Sequence, residues 1–436
     1  INQLAESIEM SEDGLRIDFK LKEGVQWHRG YGEVTAEDVK FSFERFLDPE
    51  LEAAYADDWA TLDQVEVHDR YSGTIVLSEP FAPLWSTTLP VASGNIISKA
   101  FAEEVGPEGL ATDAVGTGPY MFAEWEPEQQ VVLERNPDYH GEQPYWDEIH
   151  LIPISDDLSA EVALEAEEVD FALISVPSIE RFERHPQLEV VTFPSLRYNW
   201  IGMNVENAKF QDINVRQAIR YGVDVPSILQ AAYDGKVEQA KTLIPPGLLG
   251  HWEDAPIYER DVETAQEYLA AAGLDSLDVR LDFEDTTEAR IWAEIIQENL
   301  REVGINVELN PMDSSTFWTS SFGEQSVNNE LFTGGYSMQP DPAWATMWFT
   351  CEQVNVWNAM RWCNEEYDEL HRQGLVTMED AERHEIYVEM QQLWDEAVHT
   401  IWVTHGLRPY AYSPDIVPML TPNGYPQVHW FEPAGE

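Results

Sequence analysis

Basic residues are scarce in this 436-residue sequence, and no lysine occurs after Lys241. Only 25 lysines and arginines stand against 81 acidic residues, which gives a formal net charge of −56 at pH 7. This sign disfavours nucleic acid or an anionic membrane as the main partner. The acidic residues are spread along the whole chain, as is typical of proteins that stay hydrated in concentrated salt, where charge repulsion is screened. We therefore interpret the sequence as halophilic.

Long apolar runs are missing as well. No stretch reaches the about 18 consecutive apolar residues that a membrane-spanning helix needs. The first residues, INQLAESIEM, have the character of a domain interior and not of a signal peptide, so we expect the natural N-terminus to lie upstream. With 43% hydrophobic and 11% aromatic residues, the chain should be globular and form two domains or more.

Cysteine occurs only at Cys351 and Cys363. A local disulfide between them is the leading interpretation, and a pair of buried free thiols is the alternative. No histidine lies in residues 352–362, so a zinc site at this place would lack ligands. We expect no metal site and no cofactor.

Signatures of catalysis are also lacking. The sequence contains no G-x-S-x-G elbow, no H-E-x-x-H and no P-loop, and residues 116–119 (GTGP) predict a turn into a strand and not a phosphate cradle. A glycosidase needs only two carboxyl groups about 5 Å apart, and such a pair could be hidden among so many carboxylates. A halophilic hydrolase is therefore kept as an alternative, and no residue is identified as catalytic.

Periodicity predicts an α/β fold. Residues 15–21 alternate as a half-buried strand, and the helix that follows residue 35 is capped by Thr35 with Asp38 at its third position. Residues 260–309 predict helix, strand, helix and strand, with Gly304 closing the second helix. Such a βαβ unit implies a parallel sheet. Further helices near 364–376 and 379–398 precede a strand at TIWVTH.

Residues 197–229, RYNWIGMNVENAKFQDINVRQAIRYGVDVPSIL, predict a strand, a loop and a helix. We expect the helix to begin at Asn214, which with Gln217 resembles a capping box. Four residues have the spacing of a packed helix face: Val215, Ala218, Ile219 and Gly222. Three polar residues fall off that face: Arg216, Gln217 and Arg220.

Several of these segments resemble the peptide-type (family 5) solute-binding proteins of ABC importers. Residues 197–229 are similar to that family's N-x-x-x-x-P-F-x-D-x-R-V-R-Q-A-I-x-Y-A-I-D pattern. The opening DGLRIDFKLKEGVQWHRG with VTAEDVKFSFER, and the block GTGPY…RNPDY…YW, resemble two more family signatures. TGGYSMQPDPAWATMWFTCEQVNVWNAMRWC resembles the G-D-P and C-x(n)-W-C pattern of its dipeptide-binding members.

The resemblance implies a bilobed, periplasmic-binding-protein-like α/β fold of type II, with mixed sheets, flanking helices and a ligand cleft between lobes. We expect lobe I at 1–247 and 406–436, with an extra subdomain around 30–115, and lobe II at 248–405. The proline- and glycine-rich residues 243–256 suit a crossover between the lobes. The C-terminal end is expected to return to lobe I.

The implied function is capture of a dipeptide, a small oligopeptide or a similar small polar solute by hinge closure, and delivery to an ABC permease. The protein would act as a monomer in the periplasm or at the cell surface, with a lipid anchor on an upstream segment as one arrangement. Alternatives on the same fold are an oligosaccharide, an opine- or polyamine-like compound, or a nickel chelate with His405 as the available histidine. A chaperone or signalling receptor is a further alternative.

The resemblance also implies where a ligand ammonium would bind. Peptide-binding relatives place an aspartate a few residues after T-G-W, and counting from Thr333-Gly334 puts Met338 at that position. The aspartate of the following D-P pair is retained as Asp341. Either Asp341 or another carboxylate replaces the anchor, or the ligand is not an ordinary peptide. The alternative for Asp341 is a turn residue ahead of Pro342.

Further ligand-binding residues follow from the same resemblance. Arg290 matches a position that holds a ligand carboxylate in some relatives, a task that suits a guanidinium; a surface arginine on a first helical turn is the alternative. Aromatic and amide side chains would supply apolar faces and polar contacts, with a core position as the alternative for each aromatic residue. These candidates are Tyr198, Asn199, Trp200, Tyr336 and Trp357.

Overall fold

The computed structural model describes residues 3–51, 53 and 55–435. The chain forms two compact units, the first of Ile1–Ser175, Ile179–Val191 and Pro409–Glu436, the second of Val176–Ser178 and Thr192–Arg408. These units differ from the lobe boundaries expected from the sequence, because residues 192–247 pack with the second unit. Residues 243–256, expected to cross between lobes, also lie there, and Leu243 and Ile244 are buried in one of its cores.

The first unit begins with small antiparallel sheets. Its elements are β1 (Ala5–Met10), β2 (Arg16–Leu21), α1 (Ala36–Glu44), β3 (Leu62–Val67), β4 (Ser72–Leu77), α2 (Lys99–Leu110), β5 (Tyr120–Glu126), β6 (Gln130–Arg135), β7 (Glu148–Leu151), α3 (Asp157–Glu165), β8 (Phe171–Leu173), α4 (Ile179–Glu183) and β9 (Glu189–Pro194). The strand orders are β1-β2-β4-β3 and β5-β6-β7.

The second unit alternates helices with the strands of one larger sheet. Its elements are β10 (Arg197–Met203), α5 (Ile213–Gly222), α6 (Val225–Tyr233), α7 (Val262–Ala271), β11 (Leu277–Glu284), α8 (Thr287–Val303), β12 (Ile305–Met312), α9 (Ser314–Ser321), β13 (Leu331–Ser337), α10 (Ala343–Thr346), α11 (Glu365–Val376), α12 (Asp380–Ala397) and β14 (Thr400–Thr404). The chain ends with β15 (Leu407–Tyr412), β16 (Ile416–Val417) and β17 (Glu432–Pro433). Strand β15 lies between β8 and β9 in a third small sheet.

The N-terminal predictions are confirmed. In β2 the apolar residues Ile17, Phe19 and Leu21 are buried, while the polar residues between them are exposed. At the start of α1 the Asp38 carboxylate accepts a hydrogen bond from the Thr35 backbone N–H at 2.9 Å. This contact, one half of a capping box, gives the backbone N–H of the N-cap residue a hydrogen-bond partner at the helix start.

The second unit is built on a five-stranded sheet of order β12-β11-β13-β10-β14. Strand β11 runs parallel to β12 and β13, and β10 runs antiparallel to β13 and β14. The predicted βαβ unit is therefore confirmed, and Gly304 ends α8 in the left-handed conformation at φ 100°. The predicted helices α11 and α12 and the strand β14 are also present.

Side chains that alternate along this sheet build two separate hydrophobic cores, one on each face. Ile201 and Met203 of β10 belong to the core that contains α5 to α8, whereas Tyr198 and Trp200 belong to the core that contains α11 and α12. The period of two residues in a strand produces this division.

Helix α5 differs from the sequence prediction in two ways. Its N-cap is Asp212, whose carboxylate accepts from the Asn214 N–H at 2.9 Å, so the helix begins before the predicted Asn214. Its packed face is confirmed, but Arg216 and Arg220 are also buried. Their guanidinium groups donate to backbone carbonyls of Ala397 and Asp395 at the end of α12. A hydrophobic period cannot reveal a buried arginine that is satisfied from a distant helix.

Within the part of the chain that the structure describes, no helix combines the length and apolar character that crossing a bilayer demands.

The predicted disulfide between Cys351 and Cys363 is present and closes the loop between α10 and α11. We expect the double substitution of both cysteines by serine to lower the unfolding free energy by about 3 kcal/mol, because the unfolded chain regains the entropy of a loop of this length. Urea unfolding at constant high salt measures the change. Reduced wild-type protein is the matched control and should unfold at the same midpoint as the variant; equal midpoints for the variant and the oxidised wild type would contradict the prediction.

Candidate ligand-binding site

The carboxyl ends of the parallel strands β11, β12 and β13 meet at one edge of the five-stranded sheet. Because β10 is antiparallel to β13, Arg197 at the start of β10 lies opposite Ser337 at the end of β13. The last residue of β14, Thr404, pairs with Asn199 at the same edge. In open α/β sheets, ligands bind outside the carboxyl ends of the strands. This edge is therefore the candidate site.

One face of the edge is polar and depends on a glycine. The Nε of Arg197 donates to the Asn199 side-chain oxygen at 2.9 Å, and Asn199 Nδ2 donates to the Thr404 carbonyl at 3.0 Å. Both side chains lie across Gly335, where an added Cβ would stand 2.4 Å from Asn199 Oδ1 and 3.1 Å from Arg197 Nε. A side chain at position 335 would therefore displace both polar groups.

Several charged and titratable groups surround Arg197. The carboxylate of Glu284, at the end of β11, favours its charged form, whereas Arg408 opposes it. Desolvation is the largest influence and lowers the pKa of Arg197, although the residue is exposed. A guanidinium that is accessible but partly desolvated is expected in a recess of the protein surface. Neighbouring His405 contacts the Arg197 carbonyl through Nδ1 at 3.3 Å, and burial lowers the pKa of its imidazole to about 4.

The opposite face of the edge is aromatic. Tyr198 and Trp200 are fully buried, and the Tyr198 hydroxyl donates to the Ala345 carbonyl at 3.3 Å. Trp200 packs over Gly334, where an added Cβ would meet its ring at 2.9 Å. Tyr336 is only partly buried and donates its hydroxyl to the Trp357 carbonyl at 2.6 Å. The structure therefore places Tyr198 and Trp200 in the core and Tyr336 at its boundary.

Tyr336 belongs to a group of rings that continues toward the surface, which we call the aromatic patch. Its members are Trp318, Phe322, Tyr336, Trp348 and Trp357. Trp357, in the disulfide-closed loop, is 40% exposed. The patch offers apolar ring faces beside the sheet edge, where an apolar side chain of a ligand could pack.

The two positions expected near a ligand ammonium offer it no carboxylate. Met338 is buried, and its backbone N–H donates to the Leu196 carbonyl. Asp341 is 1% exposed, and its two carboxylate oxygens accept from Arg383 at 2.8 and 3.0 Å. Its Oδ1 also accepts from the Ala343 N–H. This is the geometry expected if Asp341 is a turn residue ahead of Pro342. Asp341 therefore holds the local fold through a buried ion pair.

Arg290 lies in the first turn of α8, close in sequence to the end of β11. Its side chain is exposed and forms an ion pair with Asp285. Strand pairing thus brings Arg197 and Asn199 together on one face of the sheet edge and places Tyr336 on the opposite face. Arg290 keeps a carboxylate partner of its own. Among the described residues, no group of three His, Cys, Asp or Glu side chains is arranged to hold a metal ion.

A large cavity of about 1310 Å³ lies within the first unit, away from the predicted residues. The edge strands β7 and β8 line it, with the partly exposed apolar residues Leu151, Ile152 and Leu173. Its polar lining is mostly carboxylate, without lysine or arginine among the described residues. Because basic side chains do not converge with carboxylates in this cavity, we favour the sheet edge of the second unit as the ligand site.

Sequence reasoning missed Arg197, Gly335, Glu284 and Arg408 at this edge. Arg197 is the first residue of the segment that carries the family resemblance and directly precedes the predicted residues Tyr198, Asn199 and Trp200. The rarity of basic residues was the available signal, because each arginine in so acidic a chain is informative. The pairing of β10 with β13, which brings Arg197 over Gly335, could not be read from local sequence.

The family model described as "Bacterial extracellular solute-binding proteins, family 5 Middle" matches residues 1–356. The chain is 28% identical over 437 residues to the "Di/tripeptide-binding protein 2" of Pseudomonas aeruginosa, covering 93% of this chain and 81% of that protein. It is 26% identical over 441 residues to the "Dipeptide-binding protein" of Escherichia coli, covering 92% and 80%. The crystal structure of the ABC transporter substrate binding protein CtaP from Listeria monocytogenes has a TM-score of 0.89 and 23% identity, covering 99% of this chain and 90% of that one. This structural similarity establishes the α/β fold of such binding proteins.

We expect the Asp341→Asn substitution to cost about 3–5 kcal/mol of unfolding free energy, because it leaves the buried Arg383 charge without its carboxylate. Ligand affinity of the folded fraction should stay unchanged. Glu298→Gln, which removes an exposed carboxylate from its pair with Arg301, is the control and should unfold like the wild type. Urea unfolding with a parallel binding titration makes the test. A variant of normal stability that no longer binds ligand would show instead that Asp341 contacts the ligand.

Proposed function

We propose that this chain, which belongs to the family 5 bacterial extracellular solute-binding proteins, captures a short peptide outside the cytoplasmic membrane and delivers it to an ABC permease. The family match over most of the chain and relatives named as dipeptide- and di/tripeptide-binding proteins support this proposal. The proposal includes no catalytic step: the ligand is bound and released unchanged.

The structural observation that carries the proposal is the sheet edge at Arg197 and Asn199. It presents an accessible guanidinium, an amide and backbone groups on one face. The aromatic patch follows on the other face. A short peptide has the matching chemistry, namely a charged terminus, backbone donors and acceptors, and apolar side chains. A disulfide in the same unit fits a location outside the reducing cytoplasm.

A non-peptide ligand is the second candidate, and one observation favours it. The position expected to pair with a peptide ammonium carries the buried Met338, and Asp341 is already paired with Arg383. A small solute with an acidic group and no free amine would not need that carboxylate. An opine-like compound meets this description better than a polyamine, which would need acidic partners.

Hinge closure around the ligand, a monomeric state and retention at the cell surface by a lipid anchor are further parts of this proposal. They follow from the family resemblance alone. Closure requires that the ligand bind one arrangement of the protein more tightly than another, since only differential affinity shifts such an equilibrium.

Native mass spectrometry of protein purified in high salt, followed by denaturation, tests the ligand class. We expect a released dipeptide or tripeptide, because a binding protein retains what it has captured. Small-angle scattering of stripped protein, with and without the released compound, then tests closure, and the expected result is a smaller radius of gyration when ligand is bound. A released sugar or metal chelate would overturn peptide capture, and an unchanged radius of gyration would overturn hinge closure.

We also propose that the acidic composition adapts this protein to concentrated salt. A net charge of −56 repels itself strongly at low ionic strength, and at about 1 M salt the screening length falls to about 3 Å. The thermal midpoint should therefore rise by about 10 °C between 0.1 and 2 M KCl. Sucrose is the control, because it favours compact proteins without screening charge. A midpoint that is flat or falls with KCl would contradict this adaptation.

A further inference from the structure

We propose that Arg197 is the anion anchor of the binding site, so that this protein selects ligands by a carboxylate and not by a free ammonium group. The inference rests on the proposed function and specifies the ligand chemistry of the same sheet edge. It rests on the surroundings of Arg197, on the shape of the edge and on the side chains that occupy the expected ammonium position.

The first observation is that Arg197 differs from most other arginines of its unit. Carboxylates are more than three times as numerous as basic residues in this chain, and Arg280, Arg290, Arg361 and Arg383 each form an ion pair. Within the described ranges, no carboxylate oxygen lies within 4.0 Å of the Arg197 guanidinium. An accessible arginine without a carboxylate partner can pair with a carboxylate supplied by a ligand.

The second observation is the way the guanidinium is held. Its Nε is fixed by Asn199 Oδ1, and Nη2 lies 3.2 Å from the point that a Cβ at Gly335 would occupy. The two Nη groups have no hydrogen-bond partner among the residues that the structure describes. A guanidinium oriented through Nε keeps its two terminal donors for a carboxylate, which can accept both in parallel.

The third observation is the local balance of charge. Arg408 is close enough to oppose the charge of Arg197, and Glu284 is the carboxylate that favours it. His405, next to the Arg197 carbonyl, stays neutral at pH 7 because burial lowers the pKa of its imidazole to about 4. The neighbouring Arg408 adds positive charge beside Arg197 in a strongly negative chain, which favours an anionic group of the ligand.

The fourth observation concerns the opposite charge. Met338, which is expected from the sequence at the position of an ammonium-binding aspartate, is buried. Asp341, the remaining acid of that segment, accepts from Arg383 on both oxygens. This segment therefore offers no carboxylate that would bind a free amine of the ligand. Specificity then depends on the carboxylate end of the ligand.

Isothermal titration with one peptide in three forms tests the proposal: leucyl-leucine, its N-acetyl derivative and its C-terminal amide. We expect the N-acetyl form to bind within about threefold of the free peptide, and the amide to bind roughly 10- to 100-fold more weakly, because a charge-assisted bidentate contact is lost. Arg197→Gln should weaken the binding of the free peptide by the same factor and leave the affinity for the amide unchanged. This is the coupling expected of a direct contact between Arg197 and the ligand carboxylate.

Two further variants separate the contact from general effects of charge or folding. Arg197→Lys keeps the charge without the planar fork, so its affinity for the free peptide should be intermediate. Arg301→Gln removes an exposed arginine of α8 that is paired with Glu298, and it should bind like the wild type. Thermal unfolding of each variant confirms that the binding reported is that of folded protein.

The outcomes distinguish this inference from the proposed function. If the peptides bind but N-acetylation abolishes binding, or if Arg197→Gln binds the free peptide normally, the anion anchor is wrong and peptide capture stands. If no peptide binds, succinate and N-acetylglutamate are titrated in the same way. Binding of these acids that depends on Arg197 would support the anchor and overturn peptide capture, and no binding of either class would overturn both.

Discussion

The pairing of β10 with the two consecutive glycines of β13 is the constraint on which the second unit depends. Neighbouring residues of a strand point to opposite faces, so Gly334 and Gly335 open one gap on each side of the sheet. Trp200 fills the gap over Gly334 and becomes part of a fully buried aromatic core. Arg197 and Asn199 lie across the gap at Gly335 and form the polar edge. These two glycines thus let the sheet edge carry closely packed rings on one face and accessible polar groups on the other.

The few arginines of this acidic chain mostly serve its architecture. Arg216 and Arg220 donate to backbone carbonyls at the end of α12, where a helix leaves its last carbonyls without internal partners and carries partial negative charge. Arg383 is buried against Asp341 in the same unit. These three arginines are therefore either paired with a carboxylate or placed in a carbonyl-rich environment. Arg197 fits neither description, and that contrast gives it functional weight.

Sequence reasoning predicted much of the second unit because its elements are strongly periodic. The alternating β11, the helix α8 that ends at Gly304, and the parallel β12 follow from local pattern and local capping chemistry. The start of α5 was misplaced because two capping residues, Asp212 and Asn214, lie two positions apart. The burial of Arg216 was missed because its acceptor at Ala397 is 181 residues away. Local patterns contain no information on contacts of that range.

The candidate site also shows that local sequence patterns do not reveal which long-range contacts a side chain makes. Tyr198, Asn199 and Trp200 are consecutive, yet strand alternation sends the two aromatic rings into the core and the amide to the polar edge. Asp341 has the residue type of a ligand anchor, but a partner from α12 fixes both of its oxygens. Residue type alone therefore cannot identify a binding group. What separates Arg197 from Asp341 is the partner that each already has: Asp341 is satisfied within the protein, whereas the terminal donors of Arg197 stay open to a ligand. Ligand specificity in this family member is accordingly to be sought where intramolecular pairing is incomplete.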